Sequence, residues 1–293
     1  MRATKSQSRT ADLLRVSFNQ VHRVMHRGVK RGLSRRNPNE RYYYLSIDEK
    51  AVHKGHHYMT ILSDEQTGIV IDIVECRSDD SVDELCQTAL TAEQRADVKT
   101  VCTDMWQPYI KGVNTYFSEA LHCHDNFHIV GYLNKAVDKC RRREVKKYED
   151  LKRTKYLFLK DKMRLTDEQY VKFESIKNAN YEVSKAWRIK ENFRDILFMQ
   201  PLEEAITLYG MWKRDALKAN IKEINEVIEM FNRHENGIIN ALITGINNAR
   251  AERLNGSIQE LKTIGRGYNN TQNFRIAILF FHANLDLIPH KKW

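Results

Sequence analysis

The chain has 293 residues, 29% of them charged, with 48 Lys/Arg against 38 Asp/Glu and a formal net charge of +10. No apolar run approaches the roughly 20 residues of a membrane-spanning helix, and the first residues lack the apolar stretch of a secretory signal. Cys76, Cys86, Cys102, Cys123 and Cys140 are odd in number and never spaced Cys-x-x-Cys. That pattern argues against a disulfide framework or a standard zinc motif and for a reducing, cytoplasmic setting.

Charge is distributed in blocks. Residues 1–41 hold 11 basic against 2 acidic residues, residues 42–97 hold 4 against 12, and residues 139–164 hold 12 against 4. Two basic blocks around an acidic segment suggest a clamp for a polyanion flanking a cation site.

Residues 1–41 read as a DNA-binding arm and basic linker. Ser8–Met25 has the rhythm of a helix-turn-helix, with Ala11 at the helix crossing and Leu14, Val16, Val21 and Val24 as its buried set. Ser17 is placed to cap the second helix, and Arg15 stands where such turns commonly carry glycine. The N-terminal residues of a second helix face base edges, which nominates Asn19, Gln20 and Arg23 as readers. Arg35 and Arg36 follow in a turn-rich linker.

From Tyr42 the pattern becomes β-branched and alternating. Tyr42–Lys50, His57–Ser63 and Gly68–Cys76 read as strands, with Asp64–Gly68 as a tight connection. A helix around Ser81–Leu90 leads to a fourth strand, Lys99–Thr103, and Pro108 suits the first turn of the next helix. Ala120–His124 is a fifth strand, followed by a helix over Asn126–Arg143 capped by Asp125, with Phe127, Val130, Leu133, Val137 and Cys140 as its apolar face. Three antiparallel strands followed by two reached through helices describe a mixed five-stranded α/β sheet of the ribonuclease-H-like type, first part 42–147. Residues 148–236 read as a helical insertion, with helices at Asp167–Lys177, Leu202–Lys218 and Ile221–Phe231 and a break at Pro201. Trp187, Phe193, Tyr209 and Trp212 are assigned to its packing. Residues 237–293 complete the core with a helix carrying Asn248, Glu252 and Asn255 on one face.

Three carboxylates end structured elements: Asp48, Asp104 and Glu252. In this fold the first and fourth strands are neighbours, which brings Asp48 and Asp104 to adjacent strands about 4.8 Å apart. Asp125 would lie one strand further away. Glu49 must face away from Asp48, because successive strand residues alternate. His122 and His124 share a strand face but lack a second ligand pair for zinc. Two aspartates and a late glutamate suit a pair of divalent metals acting in displacement at phosphate. Mg2+ fits, since it needs few carboxylates beside its waters and the substrate oxygens.

These residues resemble the DDE insertion-sequence transposases of the ISL-three type. The resemblance lies in Asp104-Met-Trp-Gln-Pro-Tyr-Ile-Lys111 and Asp125-Asn-Phe-His-Ile-Val130, then Leu133-Asn134, Ala136-Val-Asp138 and Arg141. It continues through Asn248, Glu252 and Asn255 to Gly267-Tyr268 and Asn273-Phe-Arg275, and spans roughly residues 8 to 285. It implies a bacterial transposase whose metal-binding and catalytic triad is Asp48, Asp104 and Glu252, using two Mg2+ ions with Mn2+ able to substitute. Its partner would be double-stranded DNA, as terminal inverted repeats and target. Contacts are expected from Asn19, Gln20, Arg23, Arg35, Arg36, Arg141, Arg142, Arg143 and Asn255, with a homodimer or larger assembly on DNA in a nucleoid-associated setting. Relatives often carry a cysteine-rich zinc module upstream, which is expected to be absent here. They also often place glycine after the glutamate and lysine seven residues on, where this chain has Arg253 and Gln259. Two other readings stay open: a DNA-binding derivative that represses transposition, and a stand-alone ribonuclease-H-like nuclease.

Overall fold

The computed structural model describes residue 1 and residues 3–53, 57–160, 164–199, 202–246, 249–266, 268 and 270–289. Pro201, Asn248 and Gly267 lie outside the described residues. The chain forms two compact units, Met1–His122 with Asn248–Trp293, and Cys123–Asn247.

The first unit begins with α1 (Gln7–Leu14) and α2 (Phe18–Ser34). Ser17 caps α2 in a reciprocal capping box with Gln20: the Gln20 amide donates to Ser17 Oγ at 3.2 Å, and Gln20 Oε1 accepts from the Ser17 amide at 2.8 Å. Arg15 closes α1 in the left-handed conformation, φ 54°. Ala11 is buried at the crossing as expected, but of the four apolar residues assigned to the interior only Val21 is buried. Leu14 is 61% exposed, Val24 57% and Val16 39%. The reason is the stripe α2 actually buries, Val21, Met25, Gly28, Val29 and Gly32. This stripe turns Val24 outward and packs α2 against α14 (Thr271–His282) and the segment after it. A Cβ at Gly32 would stand 2.5 Å from Leu285 Cβ, so this close approach requires glycine.

The strands are β1 (Tyr44–His53), β2 (His57–Asp64), β3 (Val70–Glu75), β4 (Thr100–Thr103) and β5 (Leu121–His124), in sheet order β3-β2-β1-β4-β5. β1 to β3 are antiparallel neighbours, and β4 joins β1 in parallel. The Asp64–Gly68 connection is held by the Asp64 carboxylate, which accepts from the amides of Gln66 and Thr67, with Gly68 at φ +74°. Between β3 and β4 run α3 (Asp79–Thr88) and the short α4 (Ala92–Ala96), the latter capped by a Thr91/Gln94 box that the strand pattern alone does not reveal. α5 (Gln107–Tyr116) carries Pro108 in its first turn.

The sheet separates two cores. Leu45, Ile47, Leu62, Val82, Leu85 and Tyr109 belong to one, on the α3 and α5 face. The other unites Met25, Val29, Ile61, Ile258, Phe274 and Ile278 from α2, the sheet, α13 (Ala249–Ile264) and α14.

The second unit is helical: α6 (Asn126–Glu144), α7 (Lys155–Leu159), α8 (Asp167–Lys177), α9 (Glu182–Leu197), α10 (Leu202–Lys218), α11 (Lys222–Arg233) and α12 (Glu235–Thr244). Phe193, Tyr209, Trp212 and Phe231 form its aromatic centre, with ring centroids 4.7–6.3 Å apart, so these aromatics serve internal packing. Asp125 caps α6 through the Phe127 amide at 2.9 Å. Phe127 itself is 64% exposed; α6 buries Ile129, Leu133, Ala136, Val137 and Cys140 instead, a stripe on a different side of the helix from Phe127.

Two outcomes test this packing. Arg15→Gly removes a Cβ from a left-handed position and should stabilise the first unit by about 1 kcal/mol or less, read by thermal denaturation and by slower amide exchange in α1. In the second unit, the hydrogen-bonded Arg143 guanidinium holds the Glu223 carboxyl below its ordinary value of 4.5. A depressed carboxyl stabilises fully above the unfolded value and loses this as pH falls through the folded one. Glu223→Gln should therefore cost about 1–3 kcal/mol at neutral pH, and the difference from wild type should shrink below about pH 4 in denaturant titrations.

Candidate active site

The parallel register sets the site. Tyr44 pairs with Thr100, Leu45 with Val101, Ser46 with Cys102 and Ile47 with Thr103. Asp48 and Asp104 are the next residues on each chain, so two half-buried carboxylates follow a common register pair on strands about 4.8 Å apart.

Asp48 is oriented from two directions. Its Oδ1 accepts from the Glu49 amide at 2.7 Å, and its Oδ2 accepts from Nδ2 of Asn255 on α13 at 2.5 Å. Lys50, on the same strand face, donates to the Asn255 carbonyl at 3.1 Å, and Lys262 donates to the Ala51 carbonyl at 3.2 Å. Burial pulls the Lys50 ammonium below its ordinary pKa; Asp48 opposes this and Lys262 adds to it. Asp104 Oδ1 accepts from the Met105 amide at 2.6 Å. Glu252 lies in the first turn of α13 and is exposed. It stands three residues before Asn255, one helical turn along the same face. Asn255 thus ties the glutamate-bearing helix directly to Asp48. Lys50 escapes a motif search because one lysine beside an acidic pair carries no spacing signal.

Glu49 faces the other way, as strand alternation requires. It accepts a two-pronged contact from Arg77 Nη1 at 2.9 and 3.0 Å. His122 and His124 part company: His122 Nε2 meets Thr103 Oγ1 at 2.7 Å, and His124 packs edge-on against His234. Among the described residues, no three of His, Cys, Asp and Glu gather into a ready metal cage. The carboxylate oxygens of Asp48 and Asp104 are hard donors, which suits Mg2+, an ion that takes one or two carboxylates and keeps several waters.

The residues nominated for DNA contact divide by commitment. Asn19 and Arg23 are exposed on the first turns of α2; Gln20 is exposed too, with its side chain in the capping box. Arg35 binds Asp286 and the Ile288 carbonyl, and Arg36 donates to the carbonyls of Ile71 and Val70. In the second unit Arg141 pairs with Asp138 at 2.8 Å and Arg143 bridges Glu182 and Glu223, whereas Arg142, also near Asp138, keeps 64% of its side chain exposed.

A sheet of this order, with Asp48 in the middle of β1 rather than at the strand end expected from the sequence, Asp104 just past the end of β4, and a glutamate-bearing helix held against Asp48, is that of a ribonuclease-H-like α/β protein. The ISL3 family model, described as transposase, matches residues 45–278, and the chain belongs to this family of DDE transposases. It is similar to the transposase for insertion sequence element IS1001 of Bordetella parapertussis, 25% identical over 244 residues that cover 80% of this chain and 60% of the relative. It is also similar to the transposase for insertion sequence element IS1557 of Mycobacterium tuberculosis, 23% identical over 274 residues, 84% of this chain and 61% of the relative. The chain thus spans about three-fifths of the length of the curated relatives it matches. Among the described residues no helix is long and apolar enough to cross a membrane.

Asn255→Asp would set a second carboxylate against Asp48 and should lower stability without divalent cations by about 1–2 kcal/mol. The variant should also gain more melting temperature from Mg2+ than wild type does. Scanning calorimetry in EDTA and in Mg2+ checks both.

Proposed function

We propose that this chain is a transposase that cuts DNA at the ends of an insertion sequence and joins the freed 3′-hydroxyl to target DNA. The observation that carries the reading is the β1–β4 register with the Asn255–Asp48 bond, which aligns two carboxylates and ties the helix that carries Glu252 to one of them. Family membership and the names of the relatives agree with it.

In this reading Asp48, Asp104 and Glu252 would hold two Mg2+ ions, for which Mn2+ could substitute, and the ions would supply charge neutralisation for an in-line displacement at phosphorus. The residues do the positioning. Asn255 fixes one rotamer of Asp48, and the Glu49 and Met105 amides fix the two aspartates from the backbone side. In the cleavage step a water oxygen bonds to phosphorus and the 3′-oxygen leaves as a hydroxyl. In the joining step that hydroxyl attacks a target phosphodiester and displaces the target's own 3′-oxygen. The partner is double-stranded DNA, terminal repeats and target alike, and pairing two ends calls for at least two copies of the chain. Exposed Asn19 and Arg23 on α2, with Gln20 beside them, are assigned to base edges, and Arg142 to phosphate. Arg35, Arg36, Arg141 and Arg143 act on DNA only indirectly, by bracing the chain that carries these groups.

The test uses labelled duplexes carrying the terminal repeats that flank the gene and a supercoiled target plasmid. Wild type should cut at the repeat boundary and join in Mg2+ but not in EDTA. Asp48→Asn, Asp104→Asn and Glu252→Gln should each lose about a thousandfold in rate, roughly 4 kcal/mol of transition-state stabilisation, while still binding the repeat. Binding without cutting in either metal would overturn the reading, and cutting without joining would reduce it to a nuclease.

A further inference from the structure

On the sheet face opposite Asp48, one arginine connects the middle of β1 with the turn after Asp104. β3 ends at Glu75, and the chain reverses at Cys76, whose φ of 69° is left-handed. The reversal is pinned: the Cys76 amide donates to the Tyr58 carbonyl at 2.8 Å, and Thr60 Oγ1 donates to the Cys76 carbonyl at 2.8 Å. This launches Arg77 across the face of β2. Its guanidinium lies against two rings, 4.5 Å from the centroid of Tyr58 and 4.8 Å from that of Trp106. Its Nη1 meets both oxygens of Glu49, the residue after Asp48. Trp106, two residues after Asp104 and the N-cap of α5, returns a bond from Nε1 to the Arg77 carbonyl at 3.4 Å.

A guanidinium that donates to a carboxylate while lying against two rings ties several groups together, and its flat face suits this better than an ammonium does. The groups here are β2, the middle of β1 beside Asp48, and the turn after Asp104. β4 has only four residues, and its last register pair with β1 is Ile47 with Thr103, so the β1–β4 ladder stops before the two aspartates, although Asp48 stays paired with Ile61 of β2 inside β1. The guanidinium adds a link between the two segments past the end of that ladder.

We propose that Arg77 is a positioning residue that, through Glu49 and Trp106, sets the spacing of Asp48 and Asp104 and so the affinity of the site for divalent cations. This rests on the metal-site reading above. It assigns a role to a residue that touches neither the metal nor DNA, and it makes Trp106 the ring on which the guanidinium lies. The loss expected on breaking the clamp is about tenfold or more in metal affinity, the scale of outer partners that orient metal ligands.

The experiment titrates the full chain, bound to a terminal-repeat duplex, with Mn2+ and counts free ion by electron paramagnetic resonance. Asp104→Asn serves as the reference for a lost ligand. Arg77→Lys keeps the charge but loses the flat guanidinium that lies against Tyr58 and Trp106, and should weaken Mn2+ binding about tenfold with unchanged duplex affinity. Glu49→Gln should weaken it similarly, and the double variant should be no worse than either single one, because both break the same clamp. Trp106→Phe keeps a ring and should retain affinity that Trp106→Ala loses. If wild type binds Mn2+, Asp104→Asn does not, and Arg77→Lys binds as wild type does, the clamp is overturned while the metal site stands. If wild type and Asp104→Asn bind Mn2+ alike, the metal-site reading fails and takes the clamp with it. An additive double variant would show that Arg77 and Glu49 act separately, and would overturn the clamp as stated.

Discussion

The parallel pairing of β1 with β4 is the constraint on which the rest of the site depends, because it decides which acidic residues meet. Asp48 and Asp104 are 56 positions apart in the chain and become neighbours only through this register. A one-residue slip would turn every side chain of β4 to the opposite face, sending Val101 out of the core it shares with Leu45 and Ile47. The apolar pattern of β4 therefore protects the position of an aspartate that belongs to neither core. The crossover through α3 and α4 returns β4 parallel to β1, as a crossover between parallel strands does. The antiparallel β1–β2 and β2–β3 ladders hold β1 from its other edge.

Alternation along β1 then separates two jobs in adjacent residues. Ser46, Asp48, Lys50 and Val52 share the face that meets α13, where Lys50 and Asn255 engage each other and Asn255 engages Asp48. Leu45, Ile47 and Glu49 share the other, where Glu49 receives Arg77. Both faces place a donor against an acid, so neither carboxylate is left to repel its neighbour across the backbone. α13 is held by burial of Leu254, Ile258 and Leu261. Apolar packing of one helix stripe thereby fixes Asn255, one residue away on the helix, against the sheet.

The strands and their order were legible because β-branched alternation and a short connection at Asp64–Gly68 are local signals. The sequence nominates Asp48 and Asp104 as acids at strand ends, but β1 runs on past Asp48 to His53, because its pairing with β2 continues beyond the β1–β4 ladder. What escaped is set by contacts between distant segments. Leu14, Val16 and Val24 read as interior by helical spacing, yet α2 is rotated by its packing on α14 and on Leu285, which no window around residue 20 contains. Phe127 failed similarly, since the stripe α6 buries runs from Ile129 through Leu133, Val137 and Cys140, on a different side of the helix. Gln20 and Gln94 are the opposite case. Both sit three residues after Ser17 or Thr91, the local signature of a capping box, and both bonds form. That signature outweighs the assignment of Gln20 to base reading alone, because its side-chain oxygen is already engaged.

Charge was the least transferable signal. The basic blocks count arginines without showing what they are bonded to. Arg36 reaches the carbonyls of β3, Arg35 reaches Asp286, and Arg143 joins α6 to Glu182 and Glu223. A guanidinium with five donors in a fixed fork suits such bridging better than lysine does, so arginine-rich stretches overstate the cation density offered to a polyanion. Counterion release upon DNA binding scales with the phosphates actually neutralised. The salt dependence of binding should accordingly follow exposed groups such as Arg23 and Arg142 rather than the net charge of +10. The same physics makes the committed arginines informative in another way. Arg77, which links β1 beside Asp48 to the turn after Asp104, sits within the acidic stretch 42–97. There its charge adds least to a DNA-binding surface, and its geometry contributes most.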